Sequence, residues 1–221
     1  FGSLLSVESA TLTCPGVANF QLGRVRGWRR VFGHPAHIFF HRGIAIPDTK
    51  EIASLCAEPS DDPACGFVMA AFDVPVSELA ALLHREEEFN FVKVPFYPLH
   101  SQGGGDAPLG EGYMCTRASD AEVLDCRGHR EKYTQALHVH YGFTSIWDQW
   151  GPDSGLLPTP VYTRHCVLAS RKESVPKEAS DSFMDETWLC NRKTSLRTYL
   201  DANPHVMAAL PPPELVGRYS G

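Results

Sequence analysis

The stretch between residues 66 and 96 constrains this chain most. Residues 66–74 read Gly-Phe-Val-Met-Ala-Ala-Phe-Asp-Val, an apolar run with the length of one buried strand. Pro75 follows at a position that suits the first turn of a helix. Val76, Leu79, Leu82 and Leu83 then recur at helical spacing as a single apolar stripe. Residues 89–96 return to strand-like alternation, with Pro95 marking an edge or an end. Gly103-Gly104-Gly105 and Pro108 predict a hairpin loop over 100–112, and Tyr113-Met114-Cys115-Thr116 its return strand. A helix that stops where a strand begins presents its junction residues to a cleft. Here that junction is Arg85-Glu86-Glu87-Glu88.

Around this unit the chain reads as mixed α and β. Residues 22–32 combine Val, aromatics and arginines without helix caps, which predicts a strand pair or one long bent strand, with Gly27 marking a bulge or a close approach. Residues 1–20 open on a Phe-Gly-Ser-Leu turn followed by a polar stretch, and Ile38-Phe39-Phe40 predicts another short strand. Pro47, Pro59, Asp61, Asp62 and Pro63 predict a loop over 47–64. From about residue 120 the pattern turns helical, with segments at 120–142, 145–150, 160–170 and 195–210, the last broken at Pro204. No Gly/Ser linker divides the halves, and Phe183, Trp188, Leu189, Leu196 and Leu200 need apolar cover, so the C-terminal helices are expected to pack on the rest.

Composition excludes several classes. A net charge of −6 with mixed signs lacks the basic stripe that nucleic acid requires. No apolar run reaches membrane-spanning length. Seven cysteines, an odd number with no C-x-x-C spacing, predict buried free thiols in a reducing compartment, whether cytosol or organelle matrix or stroma. No phosphate-cradling, dinucleotide or serine-elbow motif is present, so no cofactor is expected. His34, His37 and His41 invite a metal reading, but Pro35 breaks the helical spacing and no carboxylate or cysteine completes the set. His138 and His140 share a face only on a strand, and that region reads as helix. Arg24, Arg26, Arg29 and Arg30 are read as solvated or paired with carboxylates, or as a grip for a substrate carboxylate.

Phe1-Gly2-Ser3-Leu4-Leu5 resembles the Tyr-Gly-Ser-(Asn/Leu)-Leu turn of the gamma-glutamylcyclotransferase superfamily, most closely its ChaC-type and AIG2-type branches. Leu82-Leu83-His84-Arg85-Glu86 resembles that family's Leu-Asp-x-Arg-Glu pattern, and Gly27-Trp28-Arg29-Arg30-Val31-Phe32 its Gly-Tyr-x-Arg-x-Phe strand. The resemblance implies an α+β fold: a small mixed β-barrel with flanking helices over residues 1–119, then a helical extension over 120–221 as in some plant-type or algal-type members. It also implies that an apolar strand precedes Phe1, or that another chain fills its place.

The implied chemistry is cyclisation of a gamma-glutamyl amine or glutathione to 5-oxoproline with release of the amine. Glu86 is the implied catalytic residue, and Phe1, Gly2, Ser3 and Leu4 the implied substrate turn. A glycine there lets successive backbone N–H groups converge on an anion. Glu87 and Glu88 flank Glu86, and like charges raise a carboxylate's pKa. If the strand has begun, Glu86 and Glu88 share one face. Phe1 stands where the family has tyrosine, and Glu87 and Glu88 where it has glycines. Those departures support an alternative: a non-catalytic interaction or structural subunit of a larger assembly that keeps the fold.

Overall fold

The computed structural model describes residues 1–100, 107–133 and 142–221. Its architecture is mixed α+β, a curled set of short sheets with helices against it. The unit that dominates the sequence forms as expected. β4 (Gly66–Asp73) leads through Pro75 into α3 (Val76–Arg85), and β5 (Asn90–Phe96) pairs antiparallel with β6 (Gly110–Thr116), from Asn90 opposite Thr116 to Phe96 opposite Gly110. Glu86, Glu87 and Glu88 fall in the turn before β5, so strand alternation does not govern their directions.

β1 (Ala18–Arg26) and β2 (Trp28–Pro35) are one bent run of chain with Gly27 at the corner. Gly27 has φ 73°, a left-handed conformation that a side chain resists. The bend sends the two strands to different partners: β1 pairs with β4, and β2 with β3 (Glu51–Pro59). The predicted loop over 47–64 is therefore wrong at its centre. Ile52, Ala53, Leu55, Cys56 and Ala57 are buried, and the prolines lie outside or at the end of the strand, where no ladder donor is lost. Ile38-Phe39-Phe40 is not a strand but part of a short helix, α2 (His37–His41), since a three-residue apolar run does not separate the two states. The polar stretch after the first turn is a helix too, α1 (Val7–Thr13), capped by the Ser6 side chain, which accepts from Ser9 N–H at 3.1 Å.

The implied barrel is not closed. Among the described residues the strands form three separate sheets: β1-β4; β3 and β2 flanked by two short strands from the second half of the chain; and β5-β6. Single bridges join them: Arg24 and Tyr97 exchange backbone bonds of 2.9 Å, and Arg117 N–H donates to Ala57 O at 2.8 Å. The chain after residue 119 adds strands as well as helices. β7 (Leu157–Pro158) and β8 (Thr187–Trp188) lie parallel to β3 and β2. Helices run at Ala121–Cys126 in π form, then α4 (Arg130–Tyr133), α5 (Pro160–Ser170), α6 (Lys177–Asp185), α7 (Leu196–Ala202) and α8 (His205–Ala208), with Pro204 at the predicted break. Residues 145–150 form a bend and a single turn, closed by Trp150 N–H on Trp147 O at 3.2 Å, and no helix. There Asp120 Oδ1 accepts from the Ile146 and Trp147 N–H groups, both at 2.8 Å. One core cluster mixes Phe32, Leu55 and Val68 with Trp147, Trp150, Phe183 and Leu196. The triple glycine at 103–105 and the pair His138 and His140 lie outside the described residues.

Arg30 joins these layers from inside. Its fully buried guanidinium donates to Thr187 Oγ1 at 2.6 Å, to Val68 O at 3.0 Å and to Ser182 O at 2.8 Å. It also packs against the Phe67 and Phe183 rings, 4.9 and 4.8 Å from their centroids. Burial pushes its pKa down to about 9, with the Glu186 carboxylate acting against that, so the charge persists at neutral pH. Replacing Arg30 with Met strands two buried carbonyls and a hydroxyl, and about 3–5 kcal/mol of stability should go. Urea unfolding measures this. Lys177→Ala, which breaks an exposed helical pair with Asp181, should stay within about 0.5 kcal/mol.

Candidate active site

Glu86 closes α3. Its N–H bonds to Leu82 O at 3.0 Å, and its own carbonyl accepts from Phe89 N–H at 3.0 Å, which makes the turn tight. The other turn carbonyls are held by the second half of the chain: Arg127 donates to Glu87 O at 2.9 Å and Phe89 O at 2.7 Å, and Trp147 Nε1–H to Glu88 O at 3.0 Å. The three glutamates therefore leave a rigid turn in separate directions.

Glu88 is the structural member. Its carboxylate sits between His34 Nε2 at 3.3 Å and the His37 ring and backbone N–H, the latter at 3.1 Å. Burial alone would raise its pKa, but the hydrogen bonds from both histidines outweigh this and hold it well below the usual carboxylate range. His34 is kept neutral by its burial, stacked 4.1 Å from Trp147. Its Nδ1 has no hydrogen-bond partner among the described residues, which fits a tautomer whose proton is on Nε2 and faces Glu88. Two of the histidines weighed above as metal ligands, His34 and His37, thus hold a carboxylate, and no group of three or more metal-ligating side chains forms among the described residues. Glu87 is engaged by Lys132, by His84 Nδ1 at 3.4 Å and by His129 Nε2 at 3.7 Å.

Glu86 has a different setting. Its ion pair is with the adjacent Arg85, Nε at 3.1 Å. Its pKa is raised, first by burial, while Arg85 opposes the shift and Glu88 adds to it. Like-charge repulsion is therefore the smaller cause. Glu86 lines a cavity of about 930 Å³ that Phe1, Ser3 and Leu4 also line. Gly2 does not itself line it, though a Cβ there would meet two residues that do, Leu55 Cδ1 at 3.1 Å and Tyr162 Oη at 3.4 Å, at a φ of 81° that favours glycine. The first turn is a 3₁₀ turn (Gly2–Leu5) that lies beside the Cys166 sulfur, 3.6 Å from where a Gly2 Cβ would stand. The α3 stripe also belongs to this cavity. Leu79, Leu82 and Leu83 line it, and α3 buries none of its residues in the core.

Other groups restrict the chemistry. Burial pushes the Cys166 thiol up to about 12 and the Cys115 thiol higher still, which leaves neither as a thiolate nucleophile at neutral pH. Tyr162, held between Ser54 and Cys166, is likewise kept protonated by burial and can act as a hydroxyl donor. Arg24, Arg26, Arg29 and Arg30 do not line the cavity. Arg24 pairs with Glu186 at 2.5 Å, Arg29 with Glu58 at 3.5 Å, and Arg26 stacks 3.9 Å over Tyr97. What remains is one desolvated carboxylate able to accept and return a proton. Sequence reading missed Tyr162, Arg127 and Trp147, because nothing in their local pattern shows where the second half of the chain lies.

The two carboxylates should respond oppositely to replacement. Glu88 has a depressed folded pKa, so its contribution is present above the unfolded value of about 4.3 and is lost as pH falls through the folded one. His34, also depressed, must gain a proton on unfolding below about pH 6.5, which weakens the fold on the same side. Glu88→Gln should cost about 3 kcal/mol at pH 7 and flatten the acid limb of stability. Glu86 has a raised folded pKa, so its charge opposes folding at neutral pH, and Glu86→Gln should unfold no more easily than wild type. Thermal melts from pH 3 to 8 test both.

No family model matches this chain, and no curated protein matches it. Among solved structures, a gamma-glutamyl cyclotransferase superposes over 53% of this chain and 64% of that one, at 17% identity and a TM-score of 0.37. The chain thus spans less than two thirds of that protein's length, and a likeness of this grade decides neither family nor activity.

Proposed function

We propose that this protein is a gamma-glutamylcyclotransferase-like lyase that converts a gamma-glutamyl amine or glutathione to 5-oxoproline and a free amine. The observation that supports this reading most is the sorting of the three glutamates. One is hydrogen-bonded by two histidines, one is paired with a lysine, and the third is desolvated, raised in pKa and lines a cavity shared with Phe1, Ser3 and Leu4. In the reaction the substrate's α-amine attacks its own γ-carbonyl carbon. Glu86 takes a proton from the attacking nitrogen, the ring C–N bond forms, and the bond to the leaving nitrogen breaks as Glu86 returns the proton to it. A carboxylate with a raised pKa suits both halves of this exchange, and such help contributes about 10²–10⁴-fold. The enclosing walls supply the folded substrate geometry that the ring closure needs.

A second reading, a non-catalytic subunit that keeps the fold, is favoured by the first turn. That turn lies beside the Cys166 sulfur, and Gly2 does not line the cavity. Purified protein incubated with glutathione and a panel of gamma-glutamyl amines separates the two readings by 5-oxoproline release. Glu86→Gln should lower kcat by about 10²-fold or more while the fold persists, and Glu87→Gln should retain turnover. The acid limb of kcat/KM should lie above the ordinary glutamate value of about 4.3, because burial raises the Glu86 pKa. Turnover kept in Glu86→Gln and lost in Glu87→Gln would move the base to Glu87. No 5-oxoproline from any substrate would leave the subunit reading.

A further inference from the structure

The cavity carries more positive charge than a proton transfer through Glu86 uses. Arg42, Arg85 and Arg218 all line it. They arrive from three parts of the chain: Arg42 at the end of α2, Arg85 in the last turn of α3, and Arg218 after the final 3₁₀ turn, Pro213–Leu215. Arg85 pairs with Glu86, and Arg42 donates to Tyr219 Oη at 2.6 Å. The Arg218 guanidinium has neither a hydrogen-bond nor an ion-pair partner among the described residues. The other carboxylates on the cavity wall are committed elsewhere: Asp73 to Asn19, Glu87 to Lys132, Glu88 to His34 and His37.

Arg218 is placed rather than loose. Its neighbour Tyr219 is 3% exposed and packs with Ala36, Phe39, Ile44 and Val161. Behind it Gly221 N–H donates to His165 Nδ1 at 2.9 Å. The crowding of like charge is felt locally. Arg218 is held below the usual arginine range, first by partial burial and then by the charges of Arg85 and Arg42. His165, on the same wall, is pushed down to about 4 by burial and then by Arg218, Lys172 and Arg85. Three guanidinium groups on one cavity wall, with Glu86 the one carboxylate there paired to any of them, leave positive charge that fits a bound anion, and a carboxylate matches their planar forks.

We propose that Arg218, with Arg42 and Arg85, forms a carboxylate-binding site in the cavity that Glu86 lines. The identity of the bound molecule rests on the lyase reading; the anion site does not. In a gamma-glutamyl substrate the group held is the α-carboxylate, which fixes the adjacent amine near Glu86. The same cations disfavour the ammonium form of that amine and so favour the nucleophile.

Isothermal titration of wild type, Arg218→Gln and Arg218→Lys with three probes tests the site. The probes are glutarate, 5-oxoproline, and the neutral carboxamide of 5-oxoproline. Wild type should bind glutarate and should prefer 5-oxoproline to its carboxamide by about tenfold or more. Arg218→Gln should weaken both anions about tenfold and remove the preference, while Arg218→Lys should retain part of it. Arg218 lies on the exposed side of the tail, so a melt at the wild-type temperature checks that the variants are folded. Glutarate bound equally by wild type and Arg218→Gln, or not bound by wild type, overturns the site. Arg218-dependent glutarate binding in a protein that releases no 5-oxoproline sustains the site and counts against the lyase reading alone.

Discussion

A single buried guanidinium holds the layers of this protein in register. Arg30 leaves β2 and bonds at once to a carbonyl of β4, a carbonyl of α6 and a hydroxyl of β8. The sheets themselves are short and joined by single bridges, so the ladders alone do not bind β2 to β4. A desolvated cation is tolerated only where every direction of the fork is met. The requirement works in reverse as a constraint: α6 and β8 have to arrive where Arg30 needs acceptors. The aromatic rings of Phe67 and Phe183 then enclose the charge and complete the apolar cover.

The same logic, with the sign reversed, organises the cavity. Glu88 is buried as an anion because His34 and His37 surround it, and that anchoring clamps the turn between α3 and β5. The turn's carbonyls are met by Arg127 and Trp147, so its geometry is imposed from outside the strand–helix–strand unit. With Glu87 and Glu88 satisfied, Glu86 is left as the carboxylate that burial destabilises. A buried charge that opposes folding is what a trade of stability for reactivity would leave, and the proposed role of Glu86 is of that kind.

The chain after residue 119 is more than a cover. It supplies two strands, the indole and guanidinium that hold the glutamate turn, the tyrosine beside the cavity floor, and Arg218 at the cavity wall. α3 shows the consequence. Its apolar stripe, periodic enough to be read as core-facing, lines the cavity instead, with Leu79 and Leu83 still 43% and 44% exposed. Amphipathicity reports that a face is apolar, not whether protein or ligand covers it.

How much was legible follows from which interactions are local. β4, α3 and the β5–β6 hairpin were readable because Pro75, the leucine spacing and the strand alternation act within a few residues. The strand pair about Gly27 and the break at Pro204 were readable for the same reason, although Gly27 is the corner between two strands and not a bulge or a close approach. β3 was not, since Pro47 and Pro59 mimic a loop when its partners on both sides, β2 and β7, are far away in sequence. The junction glutamates were visible as a run, yet their division into anchor, ion-pair partner and cavity carboxylate was not. That division depends on His34, His37, Lys132 and Trp147, which only the tertiary fold brings to the turn. The sequence by itself determined the local elements and the place where carboxylates gather. The fold decided which of them meets the cavity, because desolvation and charge pairing are properties of the surroundings and not of the residue.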